Sequence, residues 1–319
     1  MQHARWCALQ AFDPTGTPES PKNSEVLFEM QDLSRHRRRV SILLLMPLIL
    51  WLLAFSLVPM LYGAWLSLHH ARLATLHRPS WVGFDNYLLI LESSGFRYAL
   101  RWSLGFALSS VAVEMLIGVS VATLYNRRFP AKGLAITLYM LPLMISPVLM
   151  GTMFRLLFHE AVGPVSYLLS GITGTTALLG MRFVFYTLVW ANVVNRTPMV
   201  FLNAYSAMQG VNRDTLEAAT VDGCSVWQRW RNVTLPSIFP ILGITFAERL
   251  LQNFVIFEMV FALTGGGPGT FTQSVSIFVY RRAFERSDFG VANAASFLIA
   301  LMLLIPALLL VRRMIRGVR

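Results

Sequence analysis

The stretch "ILLLMPLILWLLAFSLVPMLYGAWL", Ile42 to Leu66, carries no charged side chain along its length. A helix rises about 1.5 Å per residue, so about 20 apolar residues cross the roughly 30 Å hydrocarbon core of a bilayer. This stretch meets that length and is too long for the apolar region of a cleavable signal. It belongs to a run near 41–67, and five more runs follow, near 99–125, 134–157, 183–208, 237–261 and 290–311. The last of them, "VANAASFLIALMLLIPALLLV" (Val291 to Val311), is as clean as the first, whereas the fourth and fifth are interrupted by Asn, Gln, Arg and Glu. Inside a bilayer every backbone N–H and C=O must be bonded internally, so these runs are expected as helices. The expected fold class is therefore all-α: a polytopic membrane protein with about six transmembrane helices.

Composition agrees. Of 319 residues, 55% are hydrophobic and 13% charged, against about 25% charged in an ordinary soluble domain. The net charge of +11 is concentrated in Arg35–Arg39 ("RHRRR"), in Arg127, Arg128 and Lys132, and in Arg312, Arg313, Arg316 and Arg319. Lys and Arg gather beside the cytoplasmic ends of membrane helices. Placing both termini in the cytoplasm puts all three clusters there, leaving only scattered arginines in outer loops 68–98, 158–182 and 262–289. Topology thus accounts for the charge, and no nucleic acid is required as a partner. The expected organisation is a disordered polar tail over 1–39, a transmembrane domain over 40–312 with a cytoplasmic loop at about 209–236, and a basic tail over 313–319. Met30, directly before the first basic cluster, is a candidate translation start. Cys7 and Cys224 both fall on the cytoplasmic side, so no disulfide is expected.

Several chemistries are excluded. The two lysines, Lys22 and Lys132, follow Pro21 and Ala131, and a phosphate-cradling loop needs Gly-Lys. "GGGPGT" (Gly265 to Thr270) lacks that lysine and reads as a tight turn. The six histidines form no H-E-x-x-H pattern and no metal-ligand spacing. His69 and His70 are expected at the solvated interface.

The cytoplasmic loop reads "VNRDTLEAATVDGCSVWQRWRNVTLPSIFP", Val211 to Pro240. Asn212 is placed to cap a helix whose first turn holds Asp214. Leu216, Ala219 and Thr220 fall on one side of it. Gly223 ends it, because glycine adopts a left-handed backbone without steric cost. Ser225 and Gln228 have the spacing of a capping box. A second short helix is expected from Val226 to about Val233, with Trp227 and Trp230 anchoring the loop to its own helices. Pro236 then suits the first turn of the next span.

At this point a resemblance becomes specific. Glu217, Ala218, Ala219, then Asp222, Gly223, then Leu235, Pro236 resemble the EAA motif of ABC-importer permeases. "WLSL" (Trp65 to Leu68), "WVGFDNY" (Trp81 to Tyr87), "FALTGGGPGTFTQSVSIFVYRRAF" (Phe261 to Phe284) and "GVANAAS" (Gly290 to Ser296) are similar to the MalF/UgpA-type sugar permeases. The departures are Cys224 in place of alanine and Trp230 in place of phenylalanine. The resemblance implies a type I importer fold in the bacterial inner membrane and pairing with a second, homologous permease. It further implies docking on a dimer of ATPase subunits, which bind ATP and Mg, and delivery of a saccharide by an extracytoplasmic solute-binding protein. This chain would then hold no cofactor of its own. Glu217, Ala218, Ala219, Asp222 and Gly223 become the ATPase-coupling residues, Glu217 touching the partner and Asp222 bracing the turn.

Ionisable residues within spans face a cavity or a partner by default. Glu114 lies in the second run, Asn192, Asn195 and Arg196 in the fourth, and Glu248, Arg249, Gln252 and Asn253 in the fifth. Asn195, Gln252 and Asn253 are the expected pathway residues, with Phe254, Phe257 and Tyr205 available for stacking. Arg196, Glu248, Arg249 and Glu114 either join the pathway or pair with one another. An arginine left unpaired in the cavity would favour an acidic oligosaccharide or sugar phosphate; paired arginines would favour a neutral cargo. An autonomous secondary transporter would need its own ion-coupling site and internal repeats, and a membrane-embedded enzyme would need a catalytic constellation; the sequence offers none of these.

Overall fold

A computed structural model of the protein describes residues 45–127 and 129–317. The polar tail, with Met30, Cys7 and the Arg35–Arg39 cluster, lies outside the described residues, as do Arg128, Val318 and Arg319. The chain divides into two units at Tyr62 and Gly63. The described part of the first is the leading portion of helix α1 (Leu45–Ser67), whose side chains are exposed from Leu45 to Tyr62. Such a predominantly apolar exterior, interrupted by Ser56, suits lipid or another chain rather than water.

The second unit is built from helices α2 (Asp85–Glu92), α3 (Ser94–Tyr125), α4 (Lys132–Met144), α5 (Pro147–Leu157), α6 (Pro164–Thr173) and α7 (Val184–Gln209). The short α8 (Arg213–Val221) follows, then α9 (Val226–Phe254), α10 (Glu258–Thr264), α11 (Val275–Tyr280) and α12 (Phe289–Gly317). The all-α, multi-pass expectation holds, with two changes. The run 134–157 is not one span, because α4 and α5 meet at 91° across Ile145 and Ser146. The run 237–261 also breaks, at Val255–Phe257, between α9 and α10. By length and apolarity α1, α3 and α9 suffice to cross a bilayer, and α4 and α5 reach that length only together, with the 91° bend between them. Helix α7 is as long as these but carries Asn192, Asn195, Arg196 and Asn203, and α12 contributes the shorter apolar stretch Phe289–Ile305.

The end opposite the 209–236 loop is tied together by small motifs. His69–His70 pairs antiparallel with Ser80–Trp81. Buried Asn86 donates from Nδ2 to the Ser67 carbonyl at 2.8 Å and the His69 carbonyl at 2.9 Å. Gly290 packs so closely that a Cβ there would lie 2.2 Å from the His69 carbonyl oxygen. His69 is therefore not a solvated residue: it is buried, its Nδ1 is 2.6 Å from the Trp65 carbonyl, and its ring sits between those of Trp65 and Trp81.

Helices α3 and α7 form the centre. Toward the loop end Ala122 of α3 meets Phe201 and Ala204 of α7 with Ile238 and Leu242 of α9. Toward the other end Trp102 and Phe106 join Val184, Leu188, Met259 and Val260. Gly118 sets the α3–α7 approach: a Cβ there would sit 2.7 Å from Val200 Cγ1 and 3.1 Å from the Phe201 backbone nitrogen. Overpacking of this kind costs about 1–3 kcal/mol. Gly118→Val is expected to lower the midpoint of thermal unfolding in detergent, whereas Gly105→Ala, which meets nothing within 4 Å, is expected to leave it unchanged.

Candidate functional site

The loop follows its local chemistry. Asn212 Oδ1 accepts from the Asp214 N–H at 2.9 Å, which starts α8. Gly223 ends the helix in the left-handed region at φ +74°, its N–H donating to the Thr220 carbonyl at 3.1 Å. Ser225 and Gln228 complete the capping box, with the Ser225 N–H donating to Gln228 Oε1 at 2.8 Å and the Gln228 N–H to Ser225 Oγ at 3.3 Å. The second helix is not short, however. Val226 opens α9, which continues through Pro236 and Pro240 to Phe254, with one π-type turn over Trp230–Thr234 where the Leu235 N–H reaches the Trp230 carbonyl.

Glu217, Ala218, Asp222 and Gly223 are exposed, and Ala219 turns half inward beside Leu216. Asp222 supports the turn through its backbone N–H, which donates to the Ala218 carbonyl at 2.9 Å. Thr220 does not pack inward with them; it is exposed, and its hydroxyl accepts from Arg229 Nη1. The tryptophans divide. Trp230 anchors the loop, donating from Nε1 to Thr123 Oγ1 of α3 at 3.1 Å. Trp227 stacks on Trp230 yet is 63% exposed, and Val221 is 87% exposed. Together with Glu217 they form an apolar-acidic tip; the β-branched Val221 at this tip is a feature the sequence reasoning missed.

A second constellation lies inside the helices. Glu114 of α3 is 0% exposed and Arg249 of α9 is 1% exposed. Arg249 grips the carboxylate with two donors, Nε to Oε2 at 2.8 Å and Nη2 to Oε1 at 3.2 Å. Glu114 Oε1 also accepts from Asn192 Nδ2 at 2.9 Å and from Asn253 Nδ2 at 3.1 Å. Asn253 Oδ1 in turn accepts from Arg249 Nη2 and Asn192 Nδ2, both at 3.1 Å. Arg249 Nη1 donates to Gln252 Oε1, and Gln252 Nε2 donates to Glu248 Oε1 at 3.0 Å. Three helices thus share one buried network in which the ion pair is hydrogen-bonded on both sides, the arrangement a low-dielectric site requires.

Above this network is a cavity of about 300 Å³ lined by Asn192, Arg196, Arg249, Gln252, Asn253 and Glu258, with Pro147 and the Val255–Phe257 break closing its sides. The Val255–Phe257 break opens onto it and Pro147 brings the start of α5 to its wall, and side chains satisfy the carbonyls that the two breaks free. Asn195 Nδ2 donates to the Pro142 carbonyl at 2.8 Å and the Ile145 carbonyl at 3.1 Å. Ser276 and Ser274 serve the Val255 and Ile256 carbonyls at 2.7 and 2.8 Å.

The structure therefore brings together Glu114, Glu248, Arg249, Gln252 and Asn253. Arg196 lies on the cavity wall, and buried Asn195 faces the α4–α5 break. Phe257 lines the cavity and stacks on Phe261, Phe254 is buried in the packing of α2 and α12, and Tyr205 belongs to an aromatic group with Phe201 and Tyr139. Glu258 and the two serines were missed by sequence reasoning; the prolines at 142 and 147 were the available signal for the first break. Among the described residues no three His, Cys, Asp or Glu side chains gather as a metal site.

Removing one member of a buried ion pair costs about 3–5 kcal/mol, because it strands the other charge. Glu114→Gln is expected to destabilise the protein by that amount in detergent unfolding, and adding Arg249→Met is expected to recover part of the loss. Wild-type stability of the single variant would show that the network does not hold the helices together.

Residues 114–318 match the family described as binding-protein-dependent transport system inner membrane component. The chain is 28% identical over 268 residues to the trehalose/maltose transport system permease protein MalF of Thermococcus litoralis, covering 83% of this chain and 90% of that one. It is 30% identical over 287 residues to the trehalose transport system permease protein SugA of Mycobacterium tuberculosis, covering 89% and 91%. A crystal structure of a bacterial ABC transporter involved in import of the acidic polysaccharide alginate shares the fold, with a TM-score of 0.76 at 23% identity, covering 90% of this chain and 98% of that chain. With its helices, its loop and this match across most of its length, the chain belongs to the inner-membrane permease components of binding-protein-dependent ABC transporters.

Proposed function

We propose that this chain is one permease subunit of an ATP-driven importer that moves an oligosaccharide or sugar derivative from a solute-binding protein across the bacterial inner membrane. A second, related permease completes the pathway, and a pair of ATPase subunits docks on the 209–236 loop, with both termini of this chain on that cytoplasmic side. The relatives named for trehalose and maltose transport support the saccharide class.

The observation that carries the reading is the continuity of α9. It begins at Val226, just past the Gly223 bend, and ends at Phe254, beside the cavity-lining Gln252 and Asn253. At about 1.5 Å per residue this is a rod of roughly 40 Å. A displacement of the exposed tip, with Glu217, Ala218, Ala219, Asp222 and Gly223 against an ATPase, is thereby delivered to Arg249, Gln252 and Asn253. Nucleotide energy enters as a bias between two arrangements of the helices, by alternating access. Glu217 supplies charge to the ATPase contact, and the exposed Val221 and Trp227 supply apolar area around it.

The test uses the assembled transporter with its binding protein in proteoliposomes. Glu217→Lys and Gly223→Pro are expected to abolish saccharide uptake and binding-protein-stimulated ATP hydrolysis while the chain still inserts. Proline cannot adopt the backbone of Gly223 or donate its N–H, whereas Gly223→Asn, which tolerates a left-handed conformation, is expected to retain most activity. Wild-type uptake and stimulated hydrolysis in both disabling variants would overturn the docking role.

A further inference from the structure

The hydrogen-bonding capacity of the cavity wall is unevenly used. Gln252 is occupied at both ends, its oxygen by Arg249 and its nitrogen by Glu248. Asn253 is occupied likewise, its oxygen by Arg249 and Asn192 and its nitrogen by Glu114. The Asn192 amide nitrogen is shared between Glu114 and Asn253, which leaves its oxygen. The Arg249 charge is neutralised by Glu114. Planar amides are the groups that would read the hydroxyls of a neutral sugar, and most of those on this wall are engaged with the protein.

Arg196 differs from its neighbours. It is half-buried on α7, faces the cavity, and among the described residues has no hydrogen-bond or ion-pair partner. Glu258 lines the same cavity but is exposed and stands outside ion-pairing distance. A guanidinium in this position offers up to five N–H donors in a rigid fork that fits a carboxylate or phosphate with two parallel bonds. A half-buried guanidinium on a polar cavity wall attracts an anion more strongly than one in open water does, because its charge is less screened.

We infer that Arg196 is the anion-recognising group of the translocation pathway and that the cargo is an acidic saccharide, bearing a carboxylate or phosphate group. The inference rests on the saccharide-permease reading above. Arg249, by contrast, belongs to the internal framework and does not bind cargo.

The complete transporter with its binding protein, in proteoliposomes, decides the matter with three probes: a galacturonate tetrasaccharide, glucose 6-phosphate and maltotetraose. The wild type is expected to take up one of the two acidic probes about tenfold or more faster than maltotetraose, and which one it is separates carboxylate from phosphate. Arg196→Gln is expected to cut that acidic uptake about tenfold or more while leaving residual maltotetraose uptake within about twofold, with hydrolysis still stimulated by the loaded binding protein. Arg196→Lys keeps the charge but not the fork, and an intermediate loss of acidic uptake is expected from it; this variant carries the test if Arg196→Gln fails to assemble. Preference of the wild type for maltotetraose, or equal acidic uptake in all three proteins, would overturn the inference alone. An equal loss of every probe in both variants, as expected if Arg196 pairs with a carboxylate of the second permease, would also overturn it. Uptake of none of the probes by the wild type would overturn the saccharide reading, and the inference with it.

Discussion

Glu114 and Arg249 lie 135 positions apart in the chain and meet with almost no exposure to solvent. Neither charge is tolerable there alone. Their bidentate contact fixes α3 and α9 at one relative depth, and Asn192 brings α7 to the same level by donating to the same carboxylate oxygen. Asn253 then fills the remaining valences between them. The result is a polar layer across an otherwise apolar packing, with Phe201, Ala204 and Ile238 on one side and Phe106, Leu188 and Met259 on the other. Apolar surfaces alone would let these helices slide past one another, because one leucine contact substitutes readily for the next. A directional network does not permit that.

The cavity depends on this layer and on the two interruptions beside it. A continuous helix buries its own backbone groups and leaves no room for polar lining. Breaking α4 from α5, and α9 from α10, frees carbonyls that hydrocarbon would not tolerate. Asn195, Ser274 and Ser276 satisfy them from neighbouring segments. Close packing holds the displaced pieces in place: a Cβ on Gly151 would lie 2.9 Å from the Met259 carbonyl oxygen, so α5 and α10 touch backbone to backbone. Polar residues within the spans thus serve two purposes, and only some of them face open space.

Which of these features were legible in the sequence follows from the range of the interaction. The caps at Asn212, Gly223 and Ser225 were readable because donor, acceptor and turn lie within a few residues. The spanning runs were readable because hydropathy accumulates along one segment. Pairing of Glu114 with a cation was one of two alternatives the sequence left open, and the choice of Arg249 over Arg196 depends on helix rotation, which no local pattern encodes. Asn195 belonged to the expected pathway residues, and the structure turns its amide to a broken backbone. The α4–α5 break was concealed by unbroken hydropathy, although Pro142 and Pro147 flank it, and the α9–α10 break lies just past the polar interruption of the fifth run. His69 was misjudged because an imidazole beside a span is ordinarily wet, and only the pairing of Trp81 across the short ribbon encloses it.

The π-type turn at Trp230–Thr234 has a mechanical meaning of its own. It holds one residue more per hydrogen-bonded ring than the α-helix around it, and Trp230, bonded to Thr123, pins it against α3. Expelling that residue into the adjoining coil would restore α geometry and turn everything on one side relative to the other by about 100°. The helix joining tip to cavity therefore carries one extra residue of register, so its faces on the two sides of the turn are set about 100° from where an unbroken α-helix would place them.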